Sequence, residues 1–262
     1  MLLAGLGACT SDDDPTDPPA STPASPTAPT AFASPPDGVA PAVAETGFSI
    51  SPYENDESAD LLSYGVLVEN PGEFVALDVM VQIRLLDAEG EPIDELSGER
   101  TDHPGPQPQA ITRLLPGERI GVGRTVPHYG SDVAELDVRV EVGTWSPVQG
   151  DQWWFQPISA SEVVASDGPR GPTLGFTVDA AYTDDMIRGQ LWVGGHFSAI
   201  FRDAGGAIVG GADCCHGTGQ TQVEVPPGRS QAELYLEYGL PAQADPARTE
   251  IYLPDPQENL PG

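Results

Sequence analysis

Lysine is absent from this chain, and its 11 arginines face 40 aspartates and glutamates, which gives a net charge of −29 over 262 residues. A chain this acidic repels a phosphate backbone and offers no basic stripe from which binding would release counterions. The composition therefore excludes nucleic acid as a partner. Most of the acidic side chains are interpreted as a solvated surface that keeps the protein soluble.

A long apolar run is also missing. A membrane-spanning helix takes about 20 apolar residues, and the apolar run at the start of the chain ends at Cys9. The 28 prolines and 30 glycines interrupt long helices and favour short strands joined by turns. The composition therefore predicts an all-β fold.

The first nine residues resemble the end of a bacterial lipoprotein signal peptide. Leu6-Gly7-Ala8-Cys9 matches the lipobox, in which a leucine and two small residues precede a cysteine. The resemblance implies cleavage before Cys9, acylation of its thiol with diacylglycerol, and anchoring at the extracytoplasmic face of the cell membrane. No basic residue precedes Cys9, so residues 1–9 are interpreted as a truncated signal peptide with its lipidated cysteine.

Residues 10–46 are rich in Pro, Ser, Thr, Ala and Asp. Such a segment buries too little apolar surface to offset the entropy lost on ordering. Residues 10–46 are therefore predicted to be a disordered linker, extended by its prolines, that holds a folded body away from a membrane.

Residues 47–146 show the pattern of a β-sandwich. Apolar residues recur with a period of two from Leu77 to Leu85 and again from Leu136 to Val142. Turns are predicted at 87–90 and 115–118. Six or seven short strands in about 100 residues are typical of an immunoglobulin-like sandwich.

The pattern repeats in residues 147–262, at offsets of about 110 to 116 residues. Four pairs of segments match in the same order: 64–69 with 174–179, 85–92 with 201–208, 116–118 with 227–229, and 137–142 with 249–253. Such ordered matches indicate an internal duplication. We therefore predict two tandem β-sandwiches.

The first repeat resembles the FxLYD-type domains, which are bacterial β-sandwich modules. The segments 83–87 (IRLLD) and 114–118 (LLPGE) fit the central strand and the later turn of that family. Leu86 replaces the family's tyrosine, and Arg202 stands at that place in the second repeat. The resemblance implies a fold and no activity.

Cys214 and Cys215 are adjacent in an exported protein, where an oxidising compartment disfavours free thiols. A vicinal disulfide is the first hypothesis, although adjacent cysteines close a ring only with a distorted peptide. Unpaired thiols, an intermolecular disulfide and a metal site remain as alternatives. Cys214, Cys215 and the adjacent His216 offer up to three ligands, but a structural zinc site needs a second pair at a defined spacing. His196, the only nearby candidate for a further ligand, is interpreted as a strand residue, so no metal is predicted.

No catalytic motif is present, and no cofactor is predicted. His103 and His128 lie beside prolines and are interpreted as solvated loop residues. Acidic stretches at 54–60 and 87–91 lack the glycine and the closing glutamate of a calcium-binding EF-hand loop and are interpreted as plain turns. Loops at one end of a sandwich could still bring carboxylates together around calcium, so a calcium-stabilised module is kept as an alternative.

Trp145, Trp153 and Trp154 cluster between the two repeats. Such rings stack sugars or anchor a partner, but more often they pack between domains or cap a core. A packing role, between domains or over a core, is the favoured interpretation.

Taken together, these features predict a non-enzymatic, membrane-anchored lipoprotein that binds or braces an unknown protein or envelope partner. Two alternatives are kept. One is a solute-binding lipoprotein of a transporter, which would require an α/β body. The other is a calcium-stabilised adhesion module.

Overall fold

The computed structural model describes residues 33–93, 108–129, 132–169, 171–187, 192–213 and 223–259. Within these ranges the chain forms β-strands and three short 3₁₀ turns, and no α-helix. The predicted all-β fold class is therefore confirmed. The number of independently folding domains stays a prediction.

The first six strands form what we call the N-terminal unit. They are β1 (Ala42–Pro52), β2 (Asp60–Glu69), β3 (Val75–Leu86), β4 (Gln109–Leu114), β5 (Arg119–His128) and β6 (Glu135–Ser146). They pair into two antiparallel sheets, β1-β2-β5 and β4-β3-β6. A core containing Leu62, Tyr64, Val79 and Val122 packs between the two sheets.

The remaining strands form the C-terminal unit. They are β7 (Ile158–Gly168), β8 (Gly171–Ala180), β9 (Trp192–Arg202), β10 (Ile208–Asp213), β11 (Val223–Glu224), β12 (Gly228–Tyr235) and β13 (Glu250–Asn259). One sheet is β7-β8-β12, and in the other β9 pairs with β10, β11 and β13. A second core, which includes Leu174, Phe176 and Phe197, lies between these sheets.

The two units have the same topology. The two-residue strand β11 is left out of this comparison, so that each unit has six main strands. In each unit, the first, second and fifth main strands form one sheet (β1-β2-β5 and β7-β8-β12). In each, the third main strand is the centre of the other sheet (β3 and β9). This is the arrangement that an internal duplication predicts.

The turns that follow β3 and β9 are also alike. The Asp87 amide donates to the Glu91 carbonyl at 3.0 Å, and the Asp203 amide donates to the Ala207 carbonyl at 2.9 Å. Gly90 and Gly206 hold φ values of 81° and 93°, a left-handed conformation that glycine adopts without a steric penalty. The first repeat's turn at 87–90 is therefore confirmed, and the second repeat copies it.

One predicted boundary differs from the structure. Strand β1 begins at Ala42, so the end of the predicted linker at 46 is wrong, because residues 42–46 pair with β2. Asp37 is also held to this unit, since its carboxylate accepts from the Glu73 amide at 2.8 Å. Residues 1–32, which contain Cys9 and most of the predicted linker, lie outside the described ranges.

Candidate functional site: the junction between the two units

Strand β2 is buried on both of its faces, although it belongs to the N-terminal unit. Leu62, Tyr64 and Val66 point into that unit's core, while Ser63 and Leu67 on the opposite face are also buried. An antiparallel sheet with one solvated face would alternate apolar with exposed residues. The burial of both faces shows that a second layer covers this sheet.

That second layer is the β9-β10-β13 sheet of the C-terminal unit, and a row of glycines permits its approach. Gly47, Gly65 and Gly123 are direct cross-strand partners on β1, β2 and β5. Together they form a groove across the sheet, which we call the glycine row. A side chain at any of the three would project into the neighbouring layer.

Strand β10 lies in this groove and crosses the three strands in turn. A Cβ built on Gly65 would lie 2.6 Å from the Gly210 carbonyl oxygen, and one built on Gly123 would lie 2.8 Å from the Gly211 Cα. Neighbouring strands are about 4.8 Å apart, and three residues of a strand span about 10 Å. The length of β10 from residue 208 to residue 211 therefore matches the distance across the three strands that carry the glycine row.

Hydroxyl groups satisfy the backbone of β10 inside the junction. The Gly211 amide donates to Ser63 Oγ at 3.1 Å, and the Gly211 carbonyl accepts from Thr125 Oγ1 at 2.9 Å. Conversely, the amide of Gly123 in the N-terminal unit donates to Oγ of Ser198 in the C-terminal unit at 3.1 Å. Buried backbone groups are costly unless they are hydrogen-bonded, so these contacts fix the register of the two layers.

One side of the junction carries a charged cluster centred on Arg202. Its guanidinium donates to Glu45 at 2.6 Å, to Glu250 at 2.7 Å and to the Gly206 carbonyl at 2.7 Å, and its side chain is only 11% exposed. Glu45 belongs to the N-terminal unit and also accepts from Arg119 at 2.6 Å. Arg202 therefore joins carboxylates from both units.

The cluster shifts the pKa values of its members in the directions that ion pairing requires. Hydrogen bonds from Arg202 and Arg119 lower the pKa of Glu45. The pKa of Arg202 is raised in turn, chiefly by Glu45 and also by Glu250. Burial raises the pKa of Tyr252, whose hydroxyl donates to Glu250.

A small apolar contact lies beside the charged cluster. Leu67 of the N-terminal unit packs with Ile200 and Ile208 of the C-terminal unit, and the Tyr252 ring covers Gly121. A Cβ on Gly121 would lie 2.5 Å from that ring. Glycine, hydroxyl, charged and apolar contacts thus hold one face of each unit against the other.

A buried arginine fastens the segment that connects the units. Arg113 at the end of β4 is 3% exposed, and its Nη2 donates to the Gln156 carbonyl at 2.9 Å. Its Nε and Nη1 have no hydrogen-bond partner. Glu118 is the charged neighbour that raises the pKa of Arg113, but burial outweighs it and the pKa is lowered. Burial likewise raises the pKa of Glu118.

The predicted aromatic cluster packs into the cores. Trp145 and Trp153 are 2% and 6% exposed, and Trp154 is half-buried against Trp153, with ring centroids 5.0 Å apart. Trp145 lies in the core of the N-terminal unit, and Trp153 lies in that of the C-terminal unit. Their buried rings offer no flat surface to a sugar.

The other predicted site residues have different outcomes. Cys214 and Cys215 lie outside the described ranges, as does His103. His128 is 5% exposed at the end of β5, so its interpretation as a solvated loop residue is wrong. The reason is that β5 continues through Pro127, paired with β2.

An open groove crosses the surface of the C-terminal unit. It has a volume of about 440 Å³ and runs between β7 and the start of β13. Its walls include Glu162, Thr249 and Tyr252. Glu162 is already engaged, since it accepts from Thr177 and from Arg229, both at 2.7 Å.

The described residues hold neither a metal-ligand cluster nor a membrane-spanning helix. Among them, no group of three or more His, Cys, Asp or Glu side chains is placed to hold a metal ion. In the same part of the chain, no helix has the length and apolar character needed to cross a membrane.

Comparisons with known protein families, curated proteins and solved structures find no match to this chain. The resemblances to lipoproteins and to FxLYD-type domains therefore stay predictions.

The glycine row was not predicted from the sequence. Gly47, Gly65 and Gly123 come from three separate strands and meet only through the pairing register. A signal was nevertheless present. The segment 61–68 (LLSYGVLV) is apolar with small residues interspersed, which is typical of a strand covered on both faces.

Proposed function

We propose that this protein is an exported lipoprotein whose folded body acts as a non-enzymatic binding or structural module of the cell envelope. The junction between the two units supports a role as a binding or structural module. The glycine row, the β10 strand and Arg202 hold two sandwich-like units as one block with a fixed spacing. A fixed block suits the bracing or presentation of surfaces.

The membrane attachment rests on the sequence. Leu6-Gly7-Ala8-Cys9 supplies the acylation signal, and a Pro- and Ser-rich segment separates it from the first strand. An acyl chain contributes membrane affinity in proportion to its buried methylene groups, and stable anchoring takes more than one chain. A diacylglyceryl group on Cys9 meets that requirement.

The transporter alternative requires an α/β body with two lobes around a ligand. The described part of the chain forms β-strands and 3₁₀ turns. The groove between β7 and β13, and a smaller one lined by residues that include Asp167, Thr173 and Leu236, both lie within the C-terminal unit. Binding through an external surface therefore fits the described residues better.

The anchoring proposal is tested by expressing the chain behind a basic n-region in a bacterium. The expected product is a membrane-bound form whose mature N-terminal peptide begins at Cys9 and carries the mass of the lipid. Cys9→Ser should release the protein from the membrane fraction, whereas the matched control Cys214→Ser should leave it bound. A membrane-bound Cys9→Ser form, or an unmodified Cys9 in the wild type, would contradict the proposal.

A further inference from the structure

The glutamate and the arginine that begin the charged cluster of the N-terminal unit recur in the C-terminal unit. Gly65 lies in the middle of β2, and its counterpart on β8 is Gly175. Counting along the strands from these two glycines places the following residues at equivalent positions: Glu45 and Glu162, Arg119 and Arg229, and Glu69 and Asp179. Both glutamates lie at irregularities of the pairing register, in β1 and in β7, where a bulge turns a side chain away from its regular direction.

The two glutamates differ in how their carboxylate oxygens are used. In Glu45, Oε1 accepts from Arg119 of its own sheet at 2.6 Å, and Oε2 accepts from Arg202 of the other unit at 2.6 Å. In Glu162, both contacts with described residues are at 2.7 Å and fall on Oε2, and one of them comes from Arg229 of its own sheet. No described residue donates to Oε1 of Glu162. Glu162 therefore keeps open the position that an arginine from outside the sheet occupies on Glu45.

The charges of the two clusters have the same imbalance. In each sheet two acids lie beside one arginine, namely Glu45 and Glu69 beside Arg119, and Glu162 and Asp179 beside Arg229. In the N-terminal unit the guanidinium of Arg202 adds the missing positive charge. At Glu162, no cation of the described residues other than Arg229 makes an ion pair. A further cation is therefore attracted to Glu162, whereas an anion is repelled.

Glu162 also lines the open groove between β7 and β13, which gives a ligand a concave site. The volume of this groove, about 440 Å³, is within the range of small-ligand sites. Thr249 lines the same groove and is 6% exposed, and its hydroxyl has no hydrogen-bond partner among the described residues. A buried hydroxyl without a partner is costly, so a ligand that donates to Thr249 gains affinity. The apolar walls are suited to covering the methylene stem of a long cationic side chain, and they include Ala160, Val163 and Ile251.

We infer that this groove binds the guanidinium group of an arginine in an extended segment of a partner protein. The five N–H donors of a guanidinium suit Oε1 of Glu162 together with the hydroxyl of Thr249. The net charge of −29 attracts a cationic partner. The contact between Glu45 and Arg202 is the precedent within this chain, since an arginine on a strand of one unit there meets the equivalent glutamate of the other. The inference rests on the proposed role as a binding module and adds the chemistry of the ligand.

The test is isothermal titration calorimetry of the full chain carrying Cys9→Ser with the blocked tripeptide acetyl-Ala-Arg-Ala-amide. A salt concentration of about 0.15 M screens the general attraction of a cation to the acidic surface. We expect saturable binding at a single site. The same peptide with citrulline, a neutral analogue of arginine, should bind about tenfold more weakly because it loses a charge-assisted hydrogen bond. Free arginine should also bind more weakly than the blocked peptide, because Glu162 repels its carboxylate.

Two variants of the groove and one control locate the binding. Glu162→Gln should weaken binding of the arginine peptide by about tenfold, and Thr249→Val should weaken it by a smaller factor. Thr249→Val replaces a buried hydroxyl that has no partner by a methyl group, so it should fold like the parent. The matched control Glu141→Gln makes the same charge change at an exposed glutamate of β6 and should bind like the parent. Circular dichroism should show the parent strand content in every variant.

The absence of saturable binding would overturn the inference, and so would equal affinity for the arginine and citrulline peptides. Free arginine that binds as tightly as the blocked peptide would assign the groove to a solute rather than to a partner protein. An equal loss of affinity in Glu141→Gln would show that only the overall charge attracts the peptide. Full affinity in Thr249→Val would also overturn the inference, and it remains informative if Glu162→Gln fails to fold. None of these outcomes affects the acylation of Cys9, which has its own test.

Discussion

Gly123 and Gly211 face each other across the junction, so that a Cβ built on either one would lie 2.8 Å or 2.7 Å from the Cα of the other. Two backbones therefore touch where two layers of side chains normally keep packed sheets about 10 Å apart. Because neither strand can move without breaking hydrogen bonds to Ser63 and Ser198, the relative position of the units is set by the backbone.

The first prediction concerns this contact. Gly123→Ala and Gly211→Ala should each destabilise the protein, by about 1–3 kcal/mol, because an added methyl in a packed interior forces backbone shifts. The measurement is the free energy of unfolding from chemical denaturation. Gly150→Ala is the control, since nothing lies within 4 Å of its Cβ position. Equal stability of Gly123→Ala and Gly150→Ala would show that the junction is looser than described.

The sequence was sufficient to predict the strands whose two faces differ. The period of two from Leu77 to Leu85 corresponds to β3, where Val79, Val81 and Ile83 are buried. It was insufficient for the junction, because contacts between Gly47, Gly65 and β10 depend on register and on tertiary packing. Local patterns encode which face of a strand is apolar, but not which distant strand covers the other face.

Arg202 shows how the two repeats have diverged. It ends β9, where the N-terminal unit has Leu86 at the end of β3. Leu86 is half-buried and pairs with Glu135 and Pro92 of its own unit, whereas Arg202 meets Glu45 of the other unit. The departure from the repeat pattern that is visible in the sequence therefore marks a contact between units.

The second prediction follows from that contact. Arg202→Met should lower the free energy of unfolding by about 1–3 kcal/mol, because it removes the hydrogen bonds to Glu45, Glu250 and the Gly206 carbonyl. Glu45 then keeps only Arg119 as a donor, and Glu250 keeps only Tyr252. The partners are partly exposed, which keeps the loss below that of a fully buried pair. Arg139→Met is the control. Arg139 pairs with Asp137 at 3.4 Å while 59% exposed, so its removal should cost less than about 1 kcal/mol.

The third prediction is a dependence on pH. The pKa of Glu45 is lowered in the folded protein from its ordinary value of 4.5. A group with a lowered folded pKa contributes stability above its unfolded pKa and loses that contribution as the pH falls through the folded pKa. Stability should therefore decline more steeply below about pH 4.5 in the wild type than in Glu45→Gln.

Unfolding midpoints measured from pH 6 down to pH 3 check this expectation. Glu141→Gln, which changes an exposed glutamate of β6, provides the comparison and should follow the wild-type curve. If Glu45→Gln also follows the wild-type curve, then the hydrogen bonds from Arg202 and Arg119 do not favour the ionised form of Glu45.

The last prediction concerns Arg113 and Glu118. Their charges attract each other, but the loss of hydration on burial outweighs this attraction for each group. Burial lowers the pKa of the arginine and raises that of the glutamate, each against the influence of the partner. A buried pair of this kind contributes little net stability, whereas removing one member leaves the other uncompensated. Arg113→Met should therefore be destabilising by about 1–3 kcal/mol, and the added change Glu118→Gln should recover part of that loss.

A double-mutant cycle with Arg113→Met and Glu118→Gln measures the coupling directly. Glu118→Gln keeps a side-chain oxygen that can accept from the Leu115 amide, which Glu118 now does at 2.7 Å, so the cycle reports the charge rather than the turn. If the two changes in the free energy of unfolding are additive, the charges of Arg113 and Glu118 do not interact. The stability of Arg113→Met would then reflect only the lost hydrogen bond to Gln156, and the arginine would serve to fasten the connecting segment rather than to balance a buried acid.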